Sequence, residues 1–174
     1  MDKLFVYIDG AAKGEPGAAA IGVAITDPEG NVIEEISQLI GRTTTEVAEY
    51  QALIEACKFA AVYKPQSVLF FTDSQKVANH INHVFESRAP HVQRLIEIAI
   101  GLLNQFPRWR VNYVDAYANM RAPRLVEQAF HQNVKVQVAR ERLELVLYSR
   151  VAGLSDASLQ RLIDTAERLL EEEV

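Results

Sequence analysis

Three acidic residues stand where a carboxylate is awkward. Asp9 ends the apolar run from Leu4, Glu49 falls in the first turns of a helical pattern, and Asp73 closes Ser67 to Thr72, the most apolar strand-like run of the chain. If the strands ending in Asp9 and Asp73 are neighbours, their carboxylates emerge side by side at one sheet edge. Carboxylates held close repel one another, and a hard divalent cation is the usual remedy. Each acid also has an ordinary use: Asp9 can start a turn with Gly10, Glu49 can complement a helix dipole, and Asp73 can cap the helix that follows. His80 and His83, three apart, lack a third metal ligand beside them in sequence and read as solvated helix residues. Cys57, on the apolar face of its helix, reads as a small buried hydrophobe rather than a nucleophile.

The elements that must position these groups follow from periodicity and punctuation. Leu4 to Asp9, Ala19 to Thr26 and Val32 to Ile40 are rich in Val, Ile and aromatic residues and predict a three-stranded antiparallel meander, with Asp27-Pro28-Glu29-Gly30 as a turn. A helix follows, capped by Thr44 or Thr45, with apolar residues from Val47 to Ala61 at helical spacing, and Pro65 stops it. Ser67 to Thr72 reads as a strand buried on both faces. Helical patterns return at Ser74 to Phe85 and Val92 to Phe106, before a last strand from Arg110 to Asp115. Beyond Ala122-Pro123, where proline suits a first helical turn, the chain reads as helical to about residue 150. Gly153 breaks it. Leu154-Ser155-Asp156 then resembles a staple and cap for a final amphipathic helix, with its stripe at Leu159, Leu162, Ile163, Ala166, Leu169 and Leu170. That stripe must pack on the preceding helix, the core or a second subunit.

Composition narrows the classes. The 174 residues carry 49% hydrophobic side chains and a net charge of −5, which suits one core plus an appendix and disfavours a surface basic throughout. Residues 1–150 hold 17 acidic and 16 basic side chains, and 151–174 hold 6 and 2, so the acidity gathers at the C-terminal end. Between 108 and 150, Arg108, Arg110, Arg121, Arg124, Lys135, Arg140, Arg142 and Arg150 outnumber four acids and form either a phosphate-facing patch or an ordinary charged helix face. The single cysteine excludes an internal disulfide and suits a reducing compartment. With no apolar run near a membrane span and no signal-like start, the expectation is a cytoplasmic protein.

Taken as blocks, Tyr7-Ile8-Asp9-Gly10-Ala11-Ala12-Lys13-Gly14-Glu15-Pro16-Gly17, then Thr44-Thr45-Glu46-Val47-Ala48-Glu49-Tyr50-Gln51-Ala52-Leu53, then Phe71-Thr72-Asp73-Ser74-Gln75 resemble the three signature blocks of the ribonuclease H family, most closely its archaeal-type branch. The resemblance spans residues 3 to 131. It implies an α/β fold: a ribonuclease H-like five-stranded mixed sheet, three antiparallel strands then two parallel, flanked by helices. The domain division it suggests is 1–131 for that core and 132–174 for a C-terminal helical extension. It further implies an endonuclease that cleaves the RNA strand of RNA–DNA hybrids with Mg²⁺ or Mn²⁺, with Asp9, Glu49 and Asp73 as catalytic metal ligands and Gly10, Lys13 and Gln75 as substrate contacts.

The chain also departs from that pattern. The family's fourth carboxylate falls at Pro123, which has no ligand atom, and Arg121 and Arg124 bring positive charge to the same stretch. Glu127, one helical turn on, is the candidate substitute ligand and Asp115 a second. The ordinary readings are a solvated helix residue for Glu127 and a turn former for Asp115. Family asparagines are replaced by Glu15, Thr45 and Glu46, and two of these are acids that would repel phosphate. Otherwise Glu46 favours its helix start and Glu15 points to water. The expectation is therefore a ribonuclease H-like enzyme of reduced activity. The alternative is a catalytically inactive binding or assembly module that dimerises through its C-terminal helices.

Overall fold

The computed structural model describes residues 2–172, with side chains throughout except at 135–137, 146, 148–150 and 166–172. The elements run β1 (Lys3–Gly14), β2 (Gly17–Thr26), β3 (Val32–Thr43), α1 (Thr45–Val62), β4 (Ser67–Thr72), α2 (Gln75–Ile81), α3 (Pro90–Leu103), β5 (Trp109–Tyr113), α4 (Arg121–Val151) and α5 (Asp156–Glu172). The strands form one sheet in the order β3-β2-β1-β4-β5. β1 pairs antiparallel with β2, and β2 with β3, while β4 runs parallel to both β1 and β5. This is the mixed sheet that the sequence predicts.

Two compact units divide the chain, Met1–Asn133 and Val134–Val174. In the first, strand alternation sends Leu4, Val6 and Ile8 of β1 into the main core, where they meet Tyr50, Leu53 and Cys57 of α1 and Leu103 of α3. β2 is buried almost throughout. On its other face Ala20 packs with Val126, Ala129 and Phe130 of α4. The second unit contains the later part of α4 together with α5. Among its described residues Val138, Leu145, Leu162 and Ile163 are exposed. No described helix is long and apolar enough to cross a membrane.

Several boundaries differ from the sequence reading. β1 and β2 run on to Gly14 and Gly17 as one long hairpin, because Ala11, Ala12 and Lys13 pair with Ala20, Ala19 and Ala18 although small residues carry little strand propensity. The helix expected over Ser74 to Phe85 ends at Ile81. There the Asn82 side chain donates to the Val111 carbonyl at 2.8 Å, and His83 turns the chain with a φ of 58°. α3 closes at Leu103 rather than Phe106, with Asn104 as its C-cap.

Candidate active site

The parallel register Ile8↔Thr72 sets the next residues of the two strands, Asp9 and Asp73, side by side. α1 brings the third acid. Gly10 is where β1 meets that helix: a Cβ there would overlap the Ala48 carbonyl and lie 2.6 Å from the Glu49 amide nitrogen. The missing side chain thus draws Asp9 and Glu49 together. Thr44 starts the helix at the right point by accepting the Val47 N–H.

Around this junction the polar contacts are specific. The Ser74 hydroxyl donates to Glu49 Oε2 at 2.8 Å while accepting the Val77 N–H, so one side chain caps α2 and orients Glu49. Asn119, fully buried, donates to the Ile8 carbonyl at 3.0 Å and to Asp73 Oδ1 at 3.2 Å, tying the entry of α4 to both strand ends. Burial drives the Asp9 carboxyl up to about 6, with the charges of Asp73 and Glu127 pushing in the same direction against a backbone hydrogen bond from Gly10. Burial likewise drives Glu49 up to about 7, opposed by the Ser74 hydrogen bond and reinforced by Asp9, Asp73 and Glu46. Both groups sense one pool of negative charge.

The helix α4 is held against the sheet by two contacts. Gly22 of β2 leaves room for the Ala122 carbonyl and the Val126 nitrogen, and the Ser37 hydroxyl donates to the Leu125 carbonyl at 2.7 Å. Pro123 lies in its first turn, and Glu127, exposed one turn later, is the α4 acid whose charge reaches Asp9. Asp115 is a turn former, its Oδ1 accepting the Ala118 N–H at 2.9 Å. Of the two arginines expected to bring positive charge to this stretch, Arg121 reaches Glu35 of β3 at 3.5 Å.

Some side chains sit otherwise than the sequence suggests. Glu15 is exposed, yet its carboxylate also accepts the Thr45 N–H at 3.1 Å, joining the β1–β2 turn to the start of α1. Glu46 pairs with Lys76 at 3.2 Å. His80 is no solvated helix residue, because its Nδ1 shares a hydrogen bond with the hydroxyl of the buried Tyr50, whereas His83 lies beyond α2. Lys13 holds its ammonium 4.4 Å over the Phe130 ring, and Gln75 is exposed as the first residue of α2. Cys57 is buried, its thiol pushed up to about 12 by that burial, as an inert hydrophobe requires. In the basic stretch Arg140 pairs with Glu144 at 3.2 Å, and the side chains of Lys135 and Arg150 lie outside the described residues. In the C-terminal stripe the same holds for Ala166, Leu169 and Leu170.

Ser74 and Asn119 are the working residues whose roles sequence reasoning missed. Ser74 carries a signal in retrospect, since a Ser directly after a strand-end Asp is both a cap and a donor within reach. For Asn119 nothing local tells what its side chain touches. Its partners are 111 and 46 residues away in sequence.

The donor set suits a hard cation, because the grouped acids offer only carboxylate oxygens and none of the described ion pairs neutralises Asp9, Glu49 or Asp73. Among the described residues no three such side chains converge tightly enough to enclose an ion as they stand. Glu49 is turned to Ser74 and Asp73 to Asn119 instead.

A five-stranded mixed sheet of this order, with acids at the ends of β1 and β4 and on α1, defines a ribonuclease H-like protein. A family model described as reverse transcriptase-like matches residues 7–129. Ribonuclease HI of Halobacterium salinarum is 33% identical over 127 residues, 73% of this chain and 64% of its own length. A protein of Mycobacterium tuberculosis described as bifunctional is 30% identical over 128 residues, which is only 35% of its length. The chain therefore spans less than two thirds of these curated relatives. The crystal structure of the Halobacterium salinarum ribonuclease H1 superposes with a TM-score of 0.73 at 32% identity, covering 75% of this chain and 98% of that one. A ribonuclease H1 known as LC11, in complex with an RNA/DNA hybrid, superposes with a TM-score of 0.72 at 30% identity, covering 75% and 99%. The chain belongs to the reverse transcriptase-like family, in its ribonuclease H-like form.

Proposed function

We propose that this protein cleaves the RNA strand of RNA–DNA hybrids by metal-assisted phosphodiester hydrolysis, with turnover reduced by Pro123. The observation that carries this reading is the meeting of Asp9, Glu49 and Asp73 where β1, α1 and β4 converge, with charges that act on one another. A binding module gains nothing from buried acids that repel. Asp9, Glu49 and Asp73 would hold Mg²⁺ or Mn²⁺, with Glu127 as the substitute for the acid lost at Pro123. A bound ion of this kind supplies charge neutralisation at the phosphate and an activated water. The protein's own share is positional. Ser74 and Asn119 set the directions of two carboxylates, and Gly10 and Gly22 hold α1 and α4 close to the sheet. Because Asp9 and Glu49 hold their protons towards neutrality, loading a cation releases protons and strengthens as pH rises.

The hybrid-bound relative supports the choice of substrate. Gly10, Lys13 and Gln75 are the substrate contacts this reading assigns, and the pairings of Glu15 with Thr45 and of Glu46 with Lys76 would lessen the repulsion those two acids offer a phosphate. A cytoplasmic setting suits the lone buried thiol. We keep residues 132–174 as a helical extension that makes a homodimer contact. The second reading, an inactive binding or assembly module, is favoured by one observation: the absence of a ligand atom at Pro123. Hybrid cleavage with Mg²⁺ and with Mn²⁺, beside Asp9→Asn, separates the two. Cleavage that the substitution abolishes supports the enzyme. Equal blanks for both proteins refute it.

A further inference from the structure

A cleft of about 260 Å³ opens between the face of β1 that carries Tyr7 and the segment that leads into α4. Tyr7, Thr26 and Gly30 come from the sheet side, and Tyr117, Met120 and Arg121 from the other. Tyr7 lies two residues before Asp9 on the same face of β1, about 7 Å along the strand. Its ring is fixed by stacking on Phe71, with centroids 5.0 Å apart and planes 21° from parallel. Across the cleft Tyr117 is 88% exposed and Met120 69% exposed, so a large aromatic and a soft thioether stand in water with nothing described to cover them. Arg121 sits at the rim, paired with Glu35 at 3.5 Å with both side chains partly exposed, a weak pair that an incoming anion can displace. Thr26 adds a buried hydroxyl without a hydrogen-bond partner among the described residues.

Chemistry and size agree on the ligand. Two aromatic rings and a methionine favour a flat π-system, and a guanidinium at the rim favours a phosphate. The volume is below the roughly 300 Å³ at which drug-sized pockets begin, which suits one ring system with a short polar arm. We propose that this cleft is a nucleotide subsite, which seats one unpaired base between Tyr7 and Tyr117 and its phosphate on Arg121. The subsite rests on the nuclease reading for its purpose: it would hold the first unpaired nucleotide of a strand that leaves the carboxylate site. Its existence can be tested separately.

The test is calorimetric titration of the full-length protein with adenosine 5′-monophosphate in EDTA, with adenosine and inorganic phosphate as separate probes. Saturable binding of the nucleotide is expected, weaker binding of adenosine, and the weakest of phosphate. Tyr117→Ala, at a position too exposed to affect folding, should weaken nucleotide and adenosine alike by about fivefold or more, the loss of one base–aromatic stack. Arg121→Gln should weaken the nucleotide and leave adenosine unchanged. Failure of the nucleotide to saturate, or equal affinities in wild type and both variants, overturns the subsite. Hybrid cleavage by a protein that does not bind the nucleotide refutes the subsite and leaves the nuclease standing, whereas nucleotide binding without cleavage does the reverse.

Discussion

Replacing Asp9 by Asn should stabilise the cation-free protein above neutral pH. In the folded chain burial and the neighbouring acids lift the Asp9 carboxyl to about 6, roughly 2 pH units above an ordinary aspartate. At about 1.4 kcal/mol per pH unit, the ionised form costs about 3 kcal/mol that the unfolded chain does not bear. Asparagine keeps the shape and the acceptor for Gly10, removes that charge, and relieves Glu49, whose carboxyl is raised partly by Asp9. A raised carboxyl contributes its stability in full below its unfolded value and loses it as pH climbs through the folded value. Wild-type stability should therefore decline between about pH 4 and pH 7, and the variant should decline less. Urea unfolding in EDTA at about pH 8 should show Asp9→Asn ahead by about 2–3 kcal/mol, with little difference at about pH 4, where the aspartate is largely protonated. Magnesium should restore the wild type and remove the variant's advantage, because only the wild type has the full acidic set. Equal stabilities at the higher pH, or a gain that does not change with pH, would refute an uncompensated buried charge at this position.

Other perturbations probe the frame around the acids. Pro123→Asp should raise hybrid cleavage by about tenfold or more and lower the Mg²⁺ needed, as changes around metal sites commonly do; an unchanged rate in a steady-state assay points instead to Glu15 and Glu46 as the defect. Gly22→Ala places a Cβ against the Ala122 carbonyl and 3.0 Å from the Val126 nitrogen, so it should cost about 1–3 kcal/mol in urea unfolding and lower cleavage by displacing Glu127. Light scattering should give the full-length chain twice its 19.5 kDa and a variant lacking residues 151–174 a single copy, and a monomeric full-length protein ends the dimer reading.

Much of this protein could be read before any coordinates. The apolar run from Leu4 to Asp9, helical spacing from Val47 to Ala61, and the stops at Pro65 and Gly153 are local properties of the chain, so element order was legible from them, while the five-stranded mixed sheet followed from the family resemblance. Asp9, Glu49 and Asp73 stood out because a carboxylate at the end of an apolar run is conspicuous wherever the chain goes. The hairpin extension to Gly14 and Gly17 was not legible, since alanines and glycines become strand there only by pairing with each other. The early end of α2 at Ile81 was hidden for the same reason, because the Asn82 contact that accompanies it reaches a carbonyl on another strand.

What the sequence by itself determined is the inventory: which acids exist, that a proline stands at 123 where the resembled family has an acid, and the order of elements that carry them. Tertiary structure alone decided what surrounds those acids. Glu15 turned from a phosphate-repelling acid into a partner of the Thr45 N–H, and Arg121 from a rival of the cation into a partner of Glu35. Asn119 became the link between two strand ends, and Glu127 came near enough for its charge to reach Asp9. The physical reason is range. Propensity and periodicity act over a few residues, whereas desolvation and Coulomb interaction depend on distances in space that only the folded sheet, with α1 and the start of α4 packed on it, sets.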